Sequence, residues 1–182
     1  CSALLATGSP TKTIVINPLP LPTITLGVIP HPCQSAGSQT ANIPYTNTTN
    51  SPVTFSIDFA SGITDITNQA FSGTSGNLPV TIPAGLAAGT YTGTLTVKNA
   101  NCTSTNYAIS IIIDVLNTYY ADADGDTYGN AASSTQACTQ PPGYVTNNTD
   151  CDDTDPQKYP GATLGPCTVG LGACARTGTL VL

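Results

Sequence analysis

Three aspartates at alternate positions, Asp122, Asp124 and Asp126, stand in the stretch DADGDTYG of a chain that is only 8% charged. A second group, Asp150, Asp152, Asp153 and Asp155, surrounds Cys151. The two groups hold seven of the ten acidic residues, and the chain has no Glu. Carboxylates this close repel and raise one another's pKa unless a cation sits among them. A hard divalent ion takes roughly six to eight oxygens at about 2.3–2.6 Å, and alternating Asp on a turning loop supplies them. Asp122, Asp124 and Asp126 occupy the first, third and fifth places of a calcium loop, and Tyr128, in the seventh, would offer its backbone carbonyl. Ser133 stands where such a loop carries its bidentate Glu. The remaining ligands are therefore expected from the second group, Asp150, Asp152, Asp153 and Asp155. Two loops folded against each other, bridged by Cys138 and Cys151, would share one to three Ca2+ ions. Calcium suits a flexible carboxylate cage better than magnesium does, and copper or iron would recruit softer ligands than this segment has.

Other chemistry is poorly provided for. The single histidine, His31, lies between Pro30 and Pro32 with no nucleophile signature near it. Gly-x-Ser-x-Gly does not occur, and acid–base work would fall to Asp residues already assigned to ions. The chain is not expected to be an enzyme. Asn47, Asn101 and Asn147 match the Asn-x-Ser/Thr acceptor pattern, so glycan on the surface is an expectation.

These loops need a scaffold. The chain has 182 residues, thirty-one of them Thr, with no Met or Trp and only four Lys or Arg. Strong helix formers are scarce and β-branched residues abundant, which predicts an all-β fold. A net charge of −6 and a pI near 4.1 offer no basic face to nucleic acid. No apolar run approaches the length of a membrane span, and no signal-peptide pattern is visible. Seven cysteines without a C-x-x-C pair read as disulfides in an oxidising, extracellular setting.

Four regions follow from composition. Residues 1–21 hold a short β pattern (KTIVIN, 12–17) and then alternating prolines that form a stiff connector. Residues 22–117 read as about seven short strands, the signature of an immunoglobulin-like β-sandwich. Among these, 23–26 and 53–59 alternate, with Val53, Phe55, Ile57 and Phe59 on one face, and 78–82 and 90–97 follow. Residues 106–115 form a nearly continuous apolar run, as in a buried strand. A Cys33–Cys102 bridge would close this region and contribute on the order of 4 kcal/mol. Residues 118–165 form a loop-rich module that depends on calcium and disulfides for its order. Residues 166–182 form a Cys-containing tail.

The segments PHPCQSAGSQTANIPY, VTFSIDFASG, PVTIPAGLAAGTYTGTLTVKNANC and AISIIIDVLN resemble the Ig-like repeats of large secreted bacterial surface proteins. That resemblance implies that AGTYTGTLTV is the penultimate strand and that paired cysteines staple the sandwich. The stretch YYADADGDTYGN, followed by PPGYV, DCDDTD and YPGA in that order, resembles thrombospondin type 3 calcium repeats. It is closer still to the acidic metal-binding motif of bacterial outer-surface proteins. The motif usually continues with more Asp-rich sequence, whereas here Cys167 and Cys174 follow.

Residues 12–17 with the following prolines also read as the closing strand of an Ig-like domain. The tail CTVGLGACARTGTLVL reads as a unit that the CSALL head of another copy would complete. Cys1, followed by the small residues Ser2 and Ala3, reads either as a lipid-carrying cysteine or, the preferred expectation, as a disulfide partner of Cys167 or Cys174 within the chain or in a neighbour. A head-to-tail match that does not close into a ring generates a filament. The expected function is thus a subunit of an extracellular fibre, a homopolymer joined by strand complementation and stiffened by calcium. The rival expectation is a monomeric calcium-dependent adhesin stalk or carbohydrate-binding module.

Overall fold

A computed structural model describes residues 19–162 of the chain. The expected donor strand 12–17, Cys1, Cys167, Cys174 and the tail 166–182 lie outside the described residues. The chain divides into two compact units, Cys1–Asp114 and Val115–Leu182.

The first unit holds seven strands: β1 Thr23–Leu26, β2 Gln39–Thr49, β3 Thr54–Phe59, β4 Ile66–Ala70, β5 Gly76–Ile82, β6 Gly89–Lys98 and β7 Tyr107–Ile113. They form two antiparallel sheets, ordered β1-β2-β5 and β4-β3-β6-β7. Alternation decides which side chains face inward. Ala41, Ile43 and Tyr45 of β2 join Leu78, Val80 and Ile82 of β5. From the other sheet come Phe55, Ile57 and Phe59 of β3, Leu95 and Val97 of β6, and Ile109, Ile111 and Ile113 of β7. All belong to one buried cluster, where each large side chain contributes roughly 1.5–3 kcal/mol. Phe71 sets its ring edge-on to both Tyr45 and Phe55, and the Tyr45 hydroxyl donates to the Ser72 carbonyl at 2.8 Å. The described residues are all-β, and no helix among them is long and apolar enough to cross a membrane.

Several expectations change here. Val53 is 51% exposed rather than inward, because β3 begins at Thr54; the Val53 amide instead donates to Lys98. The 106–115 run alternates like the other strands: Ala108 and Ser110 are exposed, and Val115 is exposed beyond β7. From residue 19 onward the proline connector packs on the first unit. Pro22 is fully buried, and Asn50 Nδ2 donates to the Leu21 carbonyl at 2.6 Å.

The expected Cys33–Cys102 bridge does not fit this architecture. Cys33 pairs with Asp114, at the end of β7 where Ile113 faces Gly89. Cys102 sits at the opposite end, in the turn where Lys98 pairs with Thr103. The seven residues of β7 lie between them, a span of over about 20 Å, whereas bridged Cα atoms stand about 4.4–6.8 Å apart. Both cysteines are disulfide-bonded, each with a partner other than the one expected.

The second unit has a sheet of its own where the sequence predicts loops. Strands β8 Asn117–Ala121, β9 Ser134–Ala137 and β10 Tyr144–Val145 pair antiparallel in the order β10-β8-β9, with Tyr119 buried. Asn117, expected to end the sandwich, opens this sheet.

Candidate metal centre

The β8 strand delivers the first acidic group. Ala121 pairs with Tyr144, and the next amide, Asp122, donates to the Gly143 carbonyl at 2.9 Å. The chain then folds into a run of side chain–backbone turns. Asp122 Oδ1 accepts from the Gly125 amide at 2.8 Å and Oδ2 from the Thr127 amide at 3.2 Å. Asp124 Oδ1 accepts from the Asp126 amide at 3.2 Å, and Asp126 Oδ1 from the Tyr128 amide at 2.8 Å. Aspartate stabilises turns in this way. Gly125 and Thr127 both adopt positive φ, 81° and 77°; the first suits glycine, the second strains a β-branched residue.

The second acidic loop returns against the first. The Asp150 amide donates to the Gly129 carbonyl at 3.1 Å. Asp153 Oδ1 accepts from the Ala123 amide at 2.8 Å, and its Oδ2 lies 3.4 Å from Asn130 Nδ2. Asn147 fastens the same corner, donating from Nδ2 to the Thr127 carbonyl at 2.7 Å and accepting the Gly129 amide at 3.2 Å. Gly129 is buried, and a Cβ there would meet the Asn147 carbonyl and the Tyr120 Cβ at 2.7 Å each. Only glycine lets the two loops and β8 approach this closely.

What remains is three carboxylate oxygens with no partner. Asp124, Asp126 and Asp150 each spend Oδ1 on a backbone amide, and each leaves Oδ2 shielded from solvent with nothing to accept from. Carboxylate oxygens of Asp122, Asp124 and Asp126 lie within 4.8 Å of one another, about twice the Ca–O distance and so the width of one coordination sphere. Burial raises the pKa of Asp126, and the charges of Asp124, Asp122 and Asp153 raise it further. Burial likewise raises Asp150, followed by the charges of Asp126 and Asp124. The second loop thus brings Asp150 into the field of the first.

The other expected ligands are placed differently. Asp152 and Asp155 turn to Lys158, whose Nζ lies 2.8 Å from Asp152 Oδ2 and 3.3 Å from Asp155 Oδ2. Both oxygens of Asp153 serve the loop-to-loop contact. Tyr128 is half-buried, its ring stacked on Tyr159 with centroids 5.1 Å apart. Cys138 and Cys151 are both disulfide-bonded. Of the acceptor asparagines, Asn47 and Asn101 are exposed, whereas the amide of Asn147 is committed to the loop corner. Sequence reasoning missed Asn130, Asn147 and Lys158 as organisers of this unit. Of these, Lys158 carried the clearest signal, as the one cation beside the second acidic group. No family model, curated protein or solved structure matches the chain.

Proposed function

We propose that the chain is a structural subunit of an extracellular bacterial surface fibre, in which the second unit binds calcium and rigidifies the joint between copies. The observation that carries this reading is the set of three shielded, partnerless oxygens on Asp124, Asp126 and Asp150. Buried polar atoms almost always find a partner. Three anionic ones converging in a small unit are best served by a hard divalent cation, with Asp122 completing the protein ligands.

The remaining features suit the same reading. The four described cysteines are all disulfide-bonded, as in an oxidising compartment. The two strand orders and the shared core support an immunoglobulin-like sandwich, and the acidic loops support the likeness to bacterial outer-surface motifs. Two of the edge strands, β5 and β4, are poor acceptors for an added strand. Pro79 interrupts the donors of edge strand β5, and β4 is irregular, with Asn68 at positive φ. Residues 32–34 hydrogen-bond to the Asp114 end of β7. The donor strand proposed for head-to-tail joining, residues 12–17, lies outside the described residues.

One observation favours the monomeric adhesin or carbohydrate-binding reading: the parallel stack of Tyr128 on Tyr159, a shape that sugar rings also pack against. Electron microscopy of the full chain in calcium and in chelator separates the two. The fibre reading requires filaments that shorten or disperse in chelator. Monodisperse particles at high concentration in calcium, together with glycan-array binding, would replace it with the adhesin.

A further inference from the structure

Resting on the calcium reading above, we propose that Lys158 is a built-in cation neutralising a second acidic pair, so that the unit takes up one divalent ion rather than two or three. Six of the seven acids of the two loops separate into two sets by what faces them, Asp153 being taken up by the contact between the loops. Asp124, Asp126 and Asp150 each hold one oxygen shielded from solvent and without a partner, and carboxylate oxygens of Asp122, Asp124 and Asp126 lie within 4.8 Å of one another. Asp152 and Asp155 point theirs at a single ammonium, which lies 2.8 and 3.3 Å from one oxygen of each.

The second acidic pair is also held by its own loop. Asp155 Oδ1 accepts from the Gln157 amide at 3.2 Å, and Asp152 Oδ1 accepts from the Thr154 hydroxyl at 2.6 Å. One oxygen of each of these acids is thus held by its own turn and the other faces the ammonium. The backbone seats the lysine: its amide donates to the Asp155 carbonyl at 2.9 Å, closing a turn that brings Nζ back over both carboxylates. An ammonium is a compact point charge with three donors, enough to reach both carboxylates at once. Asp152 is held below the usual carboxylate range, chiefly by its hydrogen bond to Lys158.

The inference makes stoichiometry depend on one side chain. Calcium titration calorimetry on the full chain is expected to give one ion per chain for the unaltered protein. Lys158→Gln, which keeps a polar end on a shorter stem but removes the charge, is expected to give two. Lys158→Arg, which keeps the charge, should remain at one. Two ions in the unaltered chain would overturn the inference while leaving calcium binding intact, as would one ion or none in Lys158→Gln. No ion in the unaltered chain would sink the calcium reading and this inference with it.

Discussion

Asp126→Asn should change the stability of the second unit in opposite directions with and without calcium. In chelator, Asp126 carries a charge whose Oδ2 has no partner and whose neighbours Asp122 and Asp124 lie within 4.8 Å. Because these residues are only half-buried, the dielectric of water is the appropriate one. Each like-charge pair then costs about 0.9 kcal/mol before screening. Screening at physiological salt, with a Debye length of about 8 Å, roughly halves that. Removing both repulsions therefore stabilises the unit by about 1 kcal/mol. The asparagine Oδ1 can still accept the Tyr128 amide, and its new amide can donate to an orphaned oxygen nearby. In calcium at about 100 times its Kd, the unaltered protein gains about 2.7 kcal/mol from binding, and the variant loses nearly all of that gain. The order should thus reverse, with the unaltered protein ahead by about 1.7 kcal/mol. Urea melts followed by tyrosine fluorescence, in chelator and in calcium, measure both numbers. An Asp126→Asn protein that is less stable in chelator, or that gains as much from calcium as the parent, would refute the reasoning.

Three further outcomes are expected. In chelator, the raised pKa values of Asp126 and Asp150 mean that the folded unit holds more protons than the unfolded chain from about pH 4 up to those raised values. Stability should therefore fall as pH rises through that window and level off above it, and urea melts across pH 4–7 should lose much of that slope in an Asp126→Asn, Asp150→Asn double variant. Thr127→Gly should raise the melting point of the second unit by removing a β-branched residue from φ 77°, a gain of roughly 0.5–1 kcal/mol, since the Thr127 interactions seen here use its backbone. Gly129→Ala places a methyl group within 2.7 Å of backbone and of Tyr120, so calorimetry should show loss of the second unit's transition and of calcium uptake, with the sandwich transition retained.

Where side-chain alternation was strong, the fold could be read from the sequence. Phe55, Ile57 and Phe59, or Leu78, Val80 and Ile82, announce both a strand and the face it buries. Strand β2 was the hardest to see, although it is the longest at 11 residues. Its apolar positions, Ala41, Ile43 and Tyr45, are separated by Asn42 and Pro44, residues that ordinarily argue against a strand. Pro44 is tolerated because its carbonyl faces Gly27, just past the end of β1 at Leu26. Its missing amide, on the same side, therefore withdraws a donor where regular pairing has already stopped. The small sheet of the second unit was hidden for another reason: strands of two to five residues carry too few side chains to show a period.

At the acidic site, Asp spacing revealed which residues could gather but not how each oxygen is used. Whether a carboxylate binds an amide, a lysine or its neighbours depends on turns whose closure only the folded backbone defines. Asp124 and Asp155 look equivalent in sequence, yet one presents a bare oxygen to the cluster and the other faces Lys158. The cysteines posed the same problem over a longer distance. Spacing suggested joining Cys33 to Cys102, but strand direction sets them at opposite ends of β7.

The most direct test is a crystal structure of the full chain grown in calcium, with the ion identified by its anomalous scattering. The expected result is an ion bound by Asp124 Oδ2, Asp126 Oδ2 and Asp150 Oδ2 at about 2.3–2.6 Å. Calcium present at millimolar concentration, with those three oxygens bonded only to water or to protein donors, would contradict the metal centre and the calcium-stiffened fibre proposed from it.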